Sequence, residues 1–266
     1  MSSVVLVKES LVKVEAKKLN LAKAITQTVL CVSAIYVSSA QASPADYVYV
    51  PIVEQGEKEI DFKFGTAKQP DDRRDTTTSL GFGYGATDYW FTEVYLKREK
   101  EGSDGLTLGE WENKFQLTET GKYFVDVGLI TEIEAPLSGH GNPWEFKVGP
   151  LFQTEFGKLQ LNGNVLFQTK IGGADDVRHF TELGYQWQAK YRLQPTFEFG
   201  LQGIGEVGEW KHWDNADEQV HRIGPALFGR FVVGQKQAIK YNTALLFGTS
   251  DAAPNHTFRL QVEYEF

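Results

Sequence analysis

Thr257-Phe-Arg-Leu-Gln-Val-Glu-Tyr-Glu-Phe266 places Phe258, Leu260, Val262, Tyr264 and Phe266 on one face of a strand and Arg259, Gln261, Glu263 and Glu265 on the other, because successive side chains of a strand point to opposite sides. Strict alternation that finishes on a terminal aromatic is the pattern of the closing strand of a membrane barrel. A face this apolar needs either a packed core or lipid to cover it. The whole chain, with 41% hydrophobic residues, a mean hydropathy of -0.33 and a formal charge of -8, is polar and acidic.

Working back from that strand, period-two segments recur over about 57-65, 77-85, 89-98, 107-118, 122-134, 143-155, 159-171, 178-192, 196-207, 219-232, 238-248 and 257-266. Twelve is an even number, as single-chain bacterial barrels require, and segments of about 10 residues suffice to cross a bilayer at a tilt. Leu159, Leu161, Val165 and Phe167 alternate with Gln160, Asn162, Asn164, Gln168 and Lys170, and Leu183, Tyr185, Trp187, Ala189 and Tyr191 with Glu182, Gln186, Gln188 and Lys190. One set suits lipid and the other suits water.

The connections alternate too. Short links such as Ala86-Thr87-Asp88, Glu119-Thr120-Gly121 and Leu193-Gln194-Pro195 follow every second strand, and longer, charged or Gly-rich links such as 66-76 and 207-218 follow the others. Short periplasmic turns and long external loops produce this rhythm in an outer-membrane barrel. A soluble sandwich or lipocalin-like barrel also alternates, but it does not require the loop asymmetry. Tyr84, Tyr123, Trp187, Tyr191, Phe199, Phe231 and Tyr264 are expected near the short-turn ends, where an interfacial aromatic belt sits.

The first 42 residues read as an export signal: Lys13, Lys17, Lys18 and Lys23 precede the apolar run 25-37, and Ala40-Gln41-Ala42 offers small residues for cleavage. That run is shorter than the ~20 residues of a membrane-spanning helix. Cleavage removes five lysines and two glutamates and leaves a mature charge of about -11. The only cysteine, Cys31, lies in the signal behind Leu30, so lipidation, a disulfide scaffold and a thiolate metal site are all disfavoured. Acidity argues against nucleic acid as a partner.

The domain reading is therefore signal peptide 1-42, a short periplasmic N-terminal segment 43-56, and an all-β, antiparallel up-and-down transmembrane barrel of about 12 strands over 57-266. Asp46-Tyr-Val-Tyr-Val-Pro-Ile-Val-Glu-Gln-Gly56 is short for a plug; it is expected to tuck into the periplasmic mouth or to extend the wall. Two related steps, Gly149-Pro150 and Gly224-Pro225, are expected to bend the wall, since proline forfeits a ladder hydrogen bond.

Strand parity puts Glu93, Lys97, Glu112, Lys114, Asp126, Glu132, Lys147, Lys170, Glu182, Lys190, Glu198, Glu206, Arg222, Arg230, Lys240, Arg259 and Glu263 on the inner face as pore-lining candidates. Their mixed signs fit two roles, charge pairing that stiffens a narrow interior and a charge-lined path for small hydrophilic solutes. His140, His179, His212, His221 and His256 all fall in or beside long loops, without a neighbouring serine in a nucleophile arrangement. Asp71 with Asp72 and Asp175 with Asp176 are the acidic pairs that would have to hold an ion or activate water, and solvated loop charge is the reading preferred for both. No catalytic residue, metal ligand or cofactor is assigned, and the chain is read as a non-enzyme.

Leu80-Gly-Phe-Gly-Tyr-Gly-Ala-Thr-Asp-Tyr-Trp-Phe-Thr-Glu-Val-Tyr95 resembles the strand, Gly-x-Thr-Asp-x-Trp turn and strand of a proteobacterial outer-membrane β-barrel transporter family, which includes barrels linked to meta-pathway phenol degradation. The turn has physical sense: Thr87 and Asp88 bond local backbone and Trp90 anchors at the interface. The resemblance implies an uptake channel in the outer membrane of a Gram-negative bacterium, with small aromatic compounds as cargo. Passive diffusion of small solutes is the expected function. A closed structural or adhesive barrel and an outer-membrane enzyme with a loop-borne site are the alternatives. Expected partners are outer-membrane lipid, small-molecule solutes and the barrel-assembly machinery, engaged through the strand ending in Phe266.

Overall fold

A computed structural model describes residues 43-266 except 140, 175, 176 and 178. The signal-peptide reading of 1-42, His140 and the pair Asp175 and Asp176 lie outside the described residues.

Thirteen strands follow one another: β1 (Lys58–Lys68), β2 (Arg74–Thr87), β3 (Trp90–Glu101), β4 (Asp104–Gln116), β5 (Asp126–Pro136), β6 (Trp144–Phe156), β7 (Leu159–Ile171), β8 (Thr181–Gln194), β9 (Phe197–Glu209), β10 (His212–Trp213), β11 (Val220–Gly234), β12 (Gln237–Gly248) and β13 (His256–Glu265). Every pairing is antiparallel, β1 pairs with both β2 and β13, and β9 joins β8 to β11, so twelve long strands close on themselves. Closure leaves no unpaired edge, the condition for strands to cross hydrocarbon. The twelve expected segments map onto the twelve long strands. The largest displacement is at the start of the fifth, expected at 122 and found at Asp126, where Glu119, Thr120 and Gly121 extend into a turn held by Gly121 N–H donating to the Asp126 carboxylate at 2.8 Å.

The additional strand β10 sits in what the sequence presents as a loop. His212 and Trp213 fold back on Glu209 and Gly208, with Gly208 at φ +85°, a conformation that L side chains rarely adopt. This arm projects exposed Trp210 and Trp213 from the long-loop end of the wall.

Outward positions carry the apolar side chains, among them Leu80, Phe82, Val94, Leu96, Leu201, Leu227, Leu245 and Phe258. Aromatic pairs gather toward the short-turn end: Trp90 with Phe115, Phe124 with Phe156, Tyr191 with Phe199, Phe231 with Tyr241 and Tyr264 with Phe266. Trp187 departs from that belt. It stands in the middle of β8, opposite Gly203, and its indole occupies the space a Cβ at Gly203 would need.

Both Gly-Pro steps interrupt a ladder. Between β6 and β7 the register passes from Val148↔Phe167 to Leu151↔Asn164, and between β11 and β12 from Ile223↔Phe247 to Ala226↔Ala244. At each step a Cβ on the glycine would collide with a backbone carbonyl opposite, of Val165 and of Leu245 respectively.

Candidate functional site: the barrel interior

The segment ahead of β1 does not stay at the mouth or join the wall. It runs down the interior, beginning in the long-loop half, where Ser43 Oγ donates to Thr77 Oγ1 at 3.0 Å and Pro44 lies against Gly65. It passes Tyr47 and Tyr49 at mid-height and reaches the short-turn end, where Gly56 at φ +79° turns the chain into β1. Gly56 N–H donates to Gly85 O, and Gly85 N–H to Glu57 O, each at 2.8 Å.

Two features of the wall make this path possible. Glycines leave the room: a Cβ at Gly65 would strike the Pro44 backbone, one at Gly85 the Glu54 carbonyl, and one at Gly128 the ring of Pro51. Polar side chains from the wall supply partners for a backbone that joins no ladder, as buried peptide groups require. Val53 N–H donates to Gln116 Oε1 at 2.8 Å, Tyr49 N–H to Gln186 Oε1 at 3.4 Å, and Asn164 Nδ2 donates to Tyr49 O at 3.1 Å.

The two tyrosines hold the centre. Tyr49 Oη donates to Glu132 at 2.9 Å and Tyr47 Oη contacts both Glu112 carboxylate oxygens at 3.3 Å. Tyr49 also packs on Ile130, Leu151 and Leu166, an apolar cluster on the inner face. Lys63, paired with Asp61 at 3.5 Å, lies between the rings of Tyr47 and Tyr95, 4.1 and 3.7 Å from their centroids. Tyr49→Phe is expected to lower stability by about 1–3 kcal/mol by leaving the Glu132 carboxylate one donor short. Urea unfolding of the detergent-folded barrel measures the loss.

All seventeen charges singled out by parity stand on the inner side of the wall. Glu112, Glu132 and Lys147 meet the tyrosines, with Lys147 Nζ 2.9 Å from Glu132 Oε1. Lys97 faces Glu99 at 3.4 Å and Glu110 at 3.3 Å and also binds Glu134. Arg259 is fully buried on Gln202 and Asn242, and Arg222 is buried on β11 nearby in the long-loop half. Glu182 and Glu206 line a small cleft beside Lys147, Lys170 is half-buried near the loop end of β7, and Asp126 caps its turn. Glu93, Lys114, Lys190, Glu198, Arg230, Lys240 and Glu263 gather around one cavity of about 470 Å3 in the short-turn half.

Tyr47, Val48, Val50 and Ile52 of the interior segment line that cavity. One side carries Glu57, Glu59, Glu93 and Glu263 with Lys114 and Lys240, and the other carries Lys190, Arg192, Arg230 and Glu198. Amides of β6 to β9 bond along the wall beside the second group: Gln160 donates to Gln153 at 3.1 Å and to Asn162 at 2.9 Å, and Gln202 to Gln188 at 2.6 Å. Parity reasoning had left out Asp61, Lys63, Glu110 and Glu134, which obey the same alternation, and the neutral amides, which carry no charge to draw attention.

The loops show no catalytic grouping among the described residues. His221 Nδ1 bonds Tyr185 Oη at 2.9 Å and its Nε2 bonds Gln219 Oε1 at 3.0 Å, while Ser250 reaches the His221 backbone N–H instead of its ring. Asp71 and Asp72 turn to different cations, Arg73 and Lys68. The Arg73 guanidinium holds the exposed Asp71 carboxyl below the usual carboxylate range.

No protein-family model matches the sequence, and no curated protein matches it. Solved structures do match. An outer membrane channel of the COG4313 group from Pseudomonas putida F1 shares 14% identity over 85% of this chain and 99% of its own, with a TM-score of 0.55. The KdgM porin shares 7% identity over 78% of this chain and 99% of its own, with a TM-score of 0.52. At these identities the likeness is one of fold, and the fold is that of outer-membrane β-barrels of the porin-like kind.

Proposed function

We propose that this chain is a non-enzymatic outer-membrane channel for the passive diffusion of small solutes, in which residues 43-56 act as a removable obstruction. The observation that carries this reading is the manner in which the segment is held. It joins no ladder, and the wall grips it through side chains of Gln116, Asn164, Gln186, Glu112 and Glu132. When the segment leaves, those groups face a wetted lumen, and water replaces each lost partner. The buried apolar contacts resist, that of Tyr49 with Ile130, Leu151 and Leu166 and those of Val48, Pro51 and Val53, since fully burying a large apolar side chain is worth about 1.5–3 kcal/mol.

The inward charges then line the path and bias its selectivity. Small aromatic compounds are the cargo that the resemblance over residues 80-95 suggests, and the rings of Tyr47, Phe91 and Phe228 in the cavity wall suit them. The outer membrane of a Gram-negative bacterium is the proposed location, reached through the assembly machinery that reads the strand ending in Phe266.

The test is conductance in planar bilayers of the mature chain and of the same chain without residues 43-56. The deletion is expected to give stable ohmic steps several-fold larger than those of the intact chain. Silence from a deletion variant that retains heat-modifiable folding would sink the channel. It would favour a closed structural barrel, a second reading supported by the dense ion pairing around Lys97 and Lys147.

A further inference from the structure

We infer that the short-turn cavity holds a binding site for a small organic ammonium ion, centred on Glu59 and Glu93 with the ring of Phe91 beside them. The inference names a cargo class for the proposed channel, but binding at this site can be read whether or not the barrel conducts.

The first observation is a local excess of carboxyl groups over the cations that pair with them. Across the cavity the cations are already matched: Lys190 with Glu198 at 3.2 Å, Arg192 with Glu155 at 2.5 Å and Arg230 with Glu265 at 3.1 Å. On the acidic side Lys240 answers Glu57 at 3.2 Å and Glu263 at 3.6 Å, and also binds Glu265. Glu59 and Glu93 have no ion-pair partner among the described residues, although they are only 7% and 3% exposed. The second observation is that Glu93 Oε1 is buried without a hydrogen-bond partner, in a side chain that lines the cavity. A buried acceptor left unmatched wants a donor, and a buried carboxylate wants a cation.

The third observation concerns shape. Gly83 lies between Glu59 and Glu93 in the register of β1, β2 and β3. The space its side chain would take is filled by the Phe91 ring and the Glu59 methylenes. The bare glycine thus leaves room for the Phe91 ring edge, and Glu59, Phe91 and Glu93 together line the cavity. A primary ammonium supplies both the charge and the N–H donors, and an aromatic or alkyl body suits the Phe91 and Tyr47 rings, on whose faces cations are also favoured. Two cations oppose the ligand, Lys63 beside Glu93 and Lys114 beside Glu59, the latter with its Nζ 5.0 Å from the Phe91 centroid; Lys114 sets a limit on affinity that its removal lifts.

The probe is benzylammonium, titrated by calorimetry at pH 7 into the mature protein refolded in detergent, with benzyl alcohol as its neutral counterpart. Saturable binding of benzylammonium is expected, with at least ten-fold weaker binding of benzyl alcohol. E59Q/E93Q should weaken benzylammonium binding at least ten-fold while leaving heat-modifiable mobility unchanged, and K114Q should strengthen it several-fold. E59Q alone, at the less buried of the two carboxylates, serves if the double variant does not fold, and is expected to weaken binding at least three-fold. Equal binding of the alcohol, absence of benzylammonium binding, or unchanged affinity in E59Q would each overturn the inference. A silent channel that still binds the ammonium would reject conduction and leave the site standing.

Discussion

Valine at both Gly65 and Gly85 is expected to drive the N-terminal segment out of the barrel and to raise single-channel conductance to that of the chain lacking residues 43-56. A Cβ at Gly85 would overlap the Glu54 carbonyl, and one at Gly65 would overlap the backbone of Pro44. Neither obstacle is the end of a flexible side chain. The Gly85 backbone is also pinned by its two hydrogen bonds with Gly56 and Glu57, so it cannot retreat without breaking them. Overpacking of this kind costs about 1–3 kcal/mol per site, and each such increment shifts a two-state balance by roughly 5- to 150-fold. The wall itself is spared, because both glycines face the interior. Gly163→Val is the control: a Cβ there meets nothing within 4 Å, and its conductance should match that of the parent. A second readout does not depend on ion flow. Residues 43-266 contain no cysteine, so in a chain beginning at residue 43 a thiol placed at buried Ala45 should be shielded from a maleimide in the parent and labelled rapidly in the double valine variant. Continued shielding would mean that the segment is fixed.

Lys97→Met is expected to cost about 3–5 kcal/mol of stability, the range for removing one partner from a buried ionic group. Lys97 is the cation shared by Glu99, Glu110 and Glu134, and Glu110 and Glu134 stand directly opposite each other in the β4–β5 register. Without the ammonium two buried carboxylates face one another in an interior with little water. The methionine keeps most of the volume, so the loss reports charge and not packing. Adding Glu134→Gln should restore a large part of it, because the repulsion then disappears from the pair. By contrast, Lys122→Met removes an exposed pair with Glu119 and should change stability by no more than about 1 kcal/mol. Equilibrium unfolding in urea of the detergent-folded variants measures all three, and a Lys97→Met barrel as stable as the parent would show that the cluster carries no net strain.

The wall of this protein was legible in the order of its residues, because the side-chain period of a strand is a local property. Phe258, Leu260 and Val262 had to face one side and Arg259, Gln261 and Glu263 the other whatever the rest of the chain did. The same parity brought Glu112, Glu132 and Lys147 onto one inner surface before any pairing was known. The loop rhythm survives only in part: the link between β3 and β4 is residues 102-103 and that between β4 and β5 is 117-125, the reverse of the expected order, and one arm is added. The β10 arm depends on Gly208 adopting a positive φ, which composition does not announce. Trp187 was misplaced for a related reason: its setting is decided by Gly203 on the neighbouring strand.

What only the tertiary structure decided is where residues 43-56 go. Tyr47-Val-Tyr-Val50 reads as one more alternating stretch, and it is too short to announce itself as an obstruction. Its place is set by gaps at Gly65, Gly85 and Gly128 on three separate strands, and by Gln116, Asn164 and Gln186 meeting its backbone from three more positions on the wall. Alternation tells each side chain which surface to face, but only closure of the barrel sets which side chains meet across its interior, because that depends on the radius and register of all twelve strands together.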